Sequence, residues 1–77
     1  MKTTFVVYEP HDSKYGATVR VGEFATRKEA VRFAADRHPD AWWSGLAAWM
    51  TEDEAEEGDM DKAVIEIRKI VDMEVHP

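Results

Sequence analysis

Residues 26–39, TRKEAVRFAADRHP, carry the strongest local instruction in the chain. Thr26 and Glu29 form a capping box, in which each side chain satisfies the other's exposed backbone N–H at a helix start. Ala30, Phe33 and Ala34 recur at helical spacing, with Val31 and Ala35 as a shoulder, while Arg27, Lys28, Arg32 and Asp36 face outward. Arg37 and His38 fall in the last turn, where the helix dipole favours positive charge, and Pro39 ends the helix.

Two strand signals precede it. Thr3–Glu9, TTFVVYE, is β-branched and aromatic, with Phe5 and Val7 on one face and Val6 and Tyr8 on the other. Pro10 stops it, and the turn-rich PHDSKYG leads to a second strand from Ala17 to about Gly22. A loop of this length between two strands predicts an antiparallel hairpin. After the helix, Asp40 can cap a second, shorter helix in which Trp42 or Trp43, Leu46, Trp49 and Met50 share a face. Gly45 weakens that helix by about 1 kcal/mol. Thr51–Glu54, TEDE, is another capping box, but no apolar stripe follows it, so a single helical turn within a loop is expected.

The last segment, Lys62–Val75, fits both periods. As a strand it places Ala63, Ile65, Ile67, Val71, Met73 and Val75 on one side. As a helix capped by Asp59 it aligns Met60, Ala63, Val64, Ile67, Ile70 and Val71. Composition favours the strand, because six of the fourteen residues 62–75 are Val or Ile. The expected fold is therefore α+β: a small antiparallel sheet, β-β-α-(α)-β, with one main helix packed on one face and a single domain over residues 1–77.

Seventy-seven residues bury only about 60% of their unfolded surface, which leaves little material for a cleft. The absence of cysteine excludes disulfides and thiolate metal sites and suits a reducing cytoplasm. No apolar run approaches the ~20 residues of a membrane span. Adjacent loop residues such as His11, Asp12 and Ser13 cannot point at one another as a hydrolytic triad requires. His11, His38 and His76 lack zinc-ligand spacing, and a calcium loop starting at Asp59 meets Val64 and Ile70 where glycine and glutamate are needed. No enzyme, metal or cofactor is expected.

Charge is the feature that points to function. Residues 1–51 carry seven Lys/Arg and six Asp/Glu, and residues 62–77 carry three of each. Residues 52–61 carry seven acids and no base, so the whole excess of the net −6 lies there. Such a surface repels phosphate and attracts basic partners. A solvated loop is the commoner role of an acidic run. If the run is helical, however, it presents about one charge per 2 Å, close to the ~1.7 Å spacing of duplex DNA. Trp42, Trp43 and Trp49 stand just before it, and an adjacent Trp pair cannot bury both rings on one helix face.

In size, lack of cysteine and of catalytic motifs, strand–helix–strand layout and the segment EDEAEEGDMD, the chain resembles small acidic phage and mobile-element inhibitors, including anti-CRISPR proteins. The resemblance implies a non-enzymatic inhibitor in the host cytoplasm. It would dock on a basic nucleic-acid-binding complex, such as a CRISPR effector, and block DNA binding without touching nucleic acid itself. Its contact set would be Glu52, Asp53, Glu54, Glu56, Glu57, Asp59 and Asp61, with Trp42, Trp43 and Trp49 as apolar anchors. The alternative is a homodimeric or structural subunit assembled through the aromatic cluster and an edge strand.

Overall fold

The computed structural model describes residues 2–10 and 18–72. Strands β1 (Lys2–Pro10) and β2 (Thr18–Phe24) form the expected antiparallel hairpin, and helix α1 (Arg27–Arg37) follows. Next come β3 (Trp42–Ser44), β4 (Ala47–Trp49), helix α2 (Glu52–Glu57), a 3₁₀ turn (Met60–Lys62) and β5 (Ile65–Asp72). The strands make one antiparallel sheet in the order β2-β1-β5-β4-β3. The class is α+β, and no helix among the described residues is long and apolar enough to cross a membrane.

The first helix forms as its caps dictate. The Thr26 hydroxyl accepts from the Glu29 N–H at 3.3 Å and donates to the Glu29 carboxylate at 2.9 Å. Ala30 and Ala34 are fully buried and bring α1 close against the sheet, where Val7, Ala48, Ile65 and Ile67 complete the core. Val31 and Phe33 pack at its margin.

The helix expected between Asp40 and Met50 is instead the β3–β4 hairpin. Trp42 pairs with Trp49, Trp43 with Ala48 and Ser44 with Ala47, around a two-residue turn at Gly45–Leu46. Gly45 has φ +63°, which ends any helix and suits a tight hairpin turn. A helix would have stacked its large side chains on one stripe. The hairpin divides them between both faces of the sheet, and β4 gains β5 as a neighbour (Ala47 with Glu66, Ala48 with Ile65).

The last segment is a strand, beginning at Ile65 rather than Lys62, and its continuation past Asp72 lies outside the described residues. As a central strand between β1 and β4 it buries Ile65 and Ile67 against α1. β2 runs to Phe24, beyond the expected end at Gly22, and contains a bulge: Tyr8 faces Arg20 while Val7 faces Gly22, leaving Val21 as the extra residue.

The sheet also carries a second helix on its other face, beyond the one-helix arrangement expected. Ala47 and Trp49 point away from α1 and pack with Ala55 of α2 and with Ala63. Thus α1 covers β2, β1 and β5 on one side, and α2 covers β3 and β4 on the other.

Candidate functional site: the acidic helix and its tryptophan hairpin

The acidic run is an ordered element. Thr51 caps α2: its hydroxyl accepts from the Glu54 N–H at 3.2 Å and donates to the Glu54 carboxylate at 3.0 Å. The expected single turn is thus a six-residue helix. Gly58, at φ +68°, ends it and donates its N–H to the Glu54 carbonyl. The Asp59 carboxylate then accepts from the Asp61 N–H at 3.0 Å and starts the 3₁₀ turn. Ala55 is the one buried residue of α2, so a single small side chain anchors the helix in the core beneath it.

The three tryptophans have three different surroundings. Trp49 is only 2% exposed and lies in the core beneath α2, so it cannot serve as the exposed anchor expected of it. Its indole N–H donates to the Asp59 carbonyl at 2.7 Å, fixing the far end of the acidic segment. Trp43 is half-buried on the α1 side. Trp42 is 49% exposed, on the same face as Trp49 and next to α2.

Of the seven acids, Glu52, Asp53, Glu56, Glu57 and Asp61 are exposed, whereas Glu54 and Asp59 are half-buried and engaged as caps. Glu52 and Glu56, one turn apart, join Trp42, Trp43, Ser44 and Ala55 in lining an open groove of about 240 Å³. Asp53 and Glu57 face away from this groove, and Asp61 borders another with Tyr8, Glu66 and Arg68. The first-turn acids Glu52, Asp53 and Glu54 suit the positive end of the helix dipole. Glu56 and Glu57 do not: they sit in the last turn, which carries no base. Among the described residues the one cation within ion-pair distance of the segment is Lys62, 3.7 Å from Glu57 and well exposed. Mutual repulsion in this helix is therefore left largely uncompensated.

The chemistry of the groove's lining is that of a cation-attracting surface. Two carboxylates beside an exposed indole match a lysine or arginine side chain, which pairs with the acids and lies against the ring. Among the described residues no group of three His, Cys, Asp or Glu side chains is placed to hold a metal ion. His11, Asp12, Ser13 and His76 lie outside the described residues.

Two polar clusters join side chains of β1 to residues far from them in the chain. Arg37 donates to Glu9 through Nε at 3.0 Å and Nη2 at 2.6 Å, and His38 Nε2 lies 2.5 Å from the same carboxylate. This clamps the last turn of α1 onto the end of β1. The Arg37 hydrogen bond holds the Glu9 carboxyl below its ordinary 4.5, against the opposing effect of burial and with further help from His38. A carboxyl with a lowered folded pKa stabilises above its unfolded value, and that contribution disappears as pH falls through the folded value. Glu9→Gln is therefore expected to melt a few degrees below wild type at pH 7. The gap should close as pH drops below 4.5, as followed by circular dichroism; a gap unchanged down to pH 2 would contradict this account. In the second cluster, Arg68 lies 4.4 Å over the Tyr8 ring and donates through Nε to Glu66 at 2.6 Å.

Set against protein-family models, curated proteins and solved structures, the chain matches none of them.

Proposed function

We propose that this protein is a non-enzymatic binding protein that docks on a basic, nucleic-acid-binding complex through α2 and the Trp42 hairpin. One observation carries this reading. Five acids in a six-residue helix crowd about 9 Å of surface beside an exposed tryptophan, with almost no compensating cation. A helix that keeps self-repelling charge, with Glu56 and Glu57 against its own dipole, departs from what stability alone selects, as interaction surfaces commonly do. In the bound state a partner's Lys or Arg would enter the Trp42–Glu52–Glu56 groove, and the outer acids Asp53 and Glu57 would supply long-range attraction.

The resemblance to anti-CRISPR proteins makes a CRISPR effector complex the first target to test, with blocked DNA binding as the consequence. The acidic patch is local, since the residues outside 52–61 balance to +1. It would occlude one basic patch rather than imitate a length of duplex.

The test is displacement of labelled duplex DNA from an effector complex, read by fluorescence anisotropy. Wild type displaces the DNA, and raising the salt weakens it. The variant Glu52→Gln, Asp53→Asn, Glu56→Gln, Glu57→Gln keeps the fold and loses about a hundredfold in potency, with roughly 0.7 kcal/mol from each charge. Trp42→Ala loses about tenfold or more. Equal displacement by the neutralised variant would remove the acidic surface from the mechanism.

A further inference from the structure

The pairing of β5 changes along its length. Its first residues lie between β1 and β4, but β4 is three residues long and reaches only Ile65 and Glu66. Beyond that point, Arg68–Asp72 pair with β1 on one side and, among the described residues, with nothing on the other. All five are exposed, including Ile70 and Val71 at 44% each. The free side can be identified residue by residue. The Ile67 N–H donates to the Leu46 carbonyl at 2.7 Å, so Ile67 directs its backbone groups toward the β4 side. Alternation along a strand then turns the N–H and C=O of Lys69 and Val71 to the same open side. Edges of this kind are normally covered, bulged or lined with charge, and here Arg68, Lys69 and Asp72 supply charges of both signs. The β2 edge has its bulge; this stretch of β5 pairs in unbroken register with β1.

We propose that this edge pairs with the same edge of a second copy, antiparallel across a two-fold axis at Ile70. Charge selects the register. Centring on Ile70 sets Arg68 against Asp72 of the other copy twice over, and Ile70 against Ile70. It also sets Lys69 against Val71, the two residues whose backbone groups point outward, for roughly four cross-strand hydrogen bonds. Centring on Lys69 opposes two lysines, and centring on Val71 sets Ile70 against Asp72. Arg68 remains able to take part, because it contacts Glu66 through Nε and Nη2 while Nη1 is not engaged there. The occupied stretch ends at Arg68 on one side because the β3–β4 turn flanks Ile67. The pairing therefore uses Arg68–Asp72 of each copy, the residues of β5 that β4 does not reach. The pairing is independent of the acidic surface and stands whether or not that surface binds a basic complex.

The chain has no cysteine, so single cysteines report the register directly. Ile70→Cys places two thiols in a non-hydrogen-bonded pair, with Cβ atoms about 4.5–5.5 Å apart, close to what a disulfide needs. Val71→Cys is equally exposed, but its thiols sit on a diagonal of about 7–8 Å. In a glutathione redox buffer, Ile70→Cys is expected to form a disulfide-linked dimer and Val71→Cys is not. Sedimentation equilibrium of the wild-type chain, raised to about 1 mM, is expected to approach twice its 8.8 kDa mass. Val71→Pro removes an N–H that points to the open side and none that pairs with β1. It is expected to stay folded by circular dichroism and to sediment as a monomer. A wild-type chain that remains monomeric throughout would overturn the proposal. So would a dimer that survives Val71→Pro, or cross-linking of Val71→Cys as readily as of Ile70→Cys.

Discussion

Trp49→Ala is expected to remove about 4–6 kcal/mol of folding stability. Trp49 is 2% exposed, and the other buried residues of its cluster, Ala47, Ala55 and Ala63, are all alanine. One indole therefore supplies most of the buried side-chain volume in the cluster between α2 and the sheet. Truncating a buried tryptophan costs about 3–5 kcal/mol, and the lost hydrogen bond to the Asp59 carbonyl adds about 1 kcal/mol. At the usual ~0.05–0.15 kcal/mol per residue, a domain of this size has a total stability on the order of 4–12 kcal/mol. Trp42, its cross-strand partner, is 49% exposed, and Trp42→Ala should cost about 1–2 kcal/mol, well below the loss at Trp49. Urea unfolding followed by far-ultraviolet circular dichroism separates the two. Equal losses from both substitutions would contradict the assignment of one ring to the core and the other to the surface. The contrast also matters for binding, because Trp42 can be removed in the displacement experiment at lower cost to the scaffold.

Gly22→Val is expected to destabilise by about 2–3 kcal/mol, although local preference argues the opposite. Valine is a better strand residue than glycine, and on propensity alone the substitution would gain up to about 1 kcal/mol. The neighbours of Gly22 reverse the sign. A Cβ there would stand 2.8 Å from Phe24 Cε2 and 3.1 Å from Phe33 Cε1. Those rings lie 5.1 Å apart and join β2 to α1, and Arg37 covers Phe33 from outside at 5.6 Å. Valine must push the rings apart and, with them, lift α1 from the sheet. Gly22→Ala should show the same direction at about half the size. A stabilised Gly22→Val protein in the same urea measurement would show that the rings move aside freely.

Both predictions mark where sequence reasoning was sufficient and where it was not. The α1 helix was legible because its information is local: Thr26, Glu29 and Pro39 act on their own turns, and the alanine stripe repeats at the helical period. The β1–β2 hairpin was legible for a similar reason, through two short apolar runs and the turn-forming residues between them. The strand reading of β5 rested on β-branched composition. The Trp42–Trp49 hairpin was misread because its spacing fits a helix as well as a hairpin. Gly45, unfavourable in a helix, stands at the turn, but only a neighbouring strand, β5, decides in favour of the hairpin.

The candidate site divides in the same way. The position of the acids and the cap at Thr51 are properties of a few adjacent residues, so sequence alone determined where the charge lies and where α2 starts; its length and its end at Gly58 came from the structure. Which tryptophan reaches solvent, which acids share a groove with it, and which part of β5 lacks a neighbour depended on the register between strands far apart in the chain. The Glu9–Arg37–His38 clamp and the contacts around Gly22 belong with these. A strand offers two faces and either edge, and a one-residue slip exchanges the faces. Only the packed sheet, with β5 inserted between β1 and β4, removes that choice. Local hydrogen-bond geometry wrote the helices; long-range pairing and packing assigned every strand residue its side.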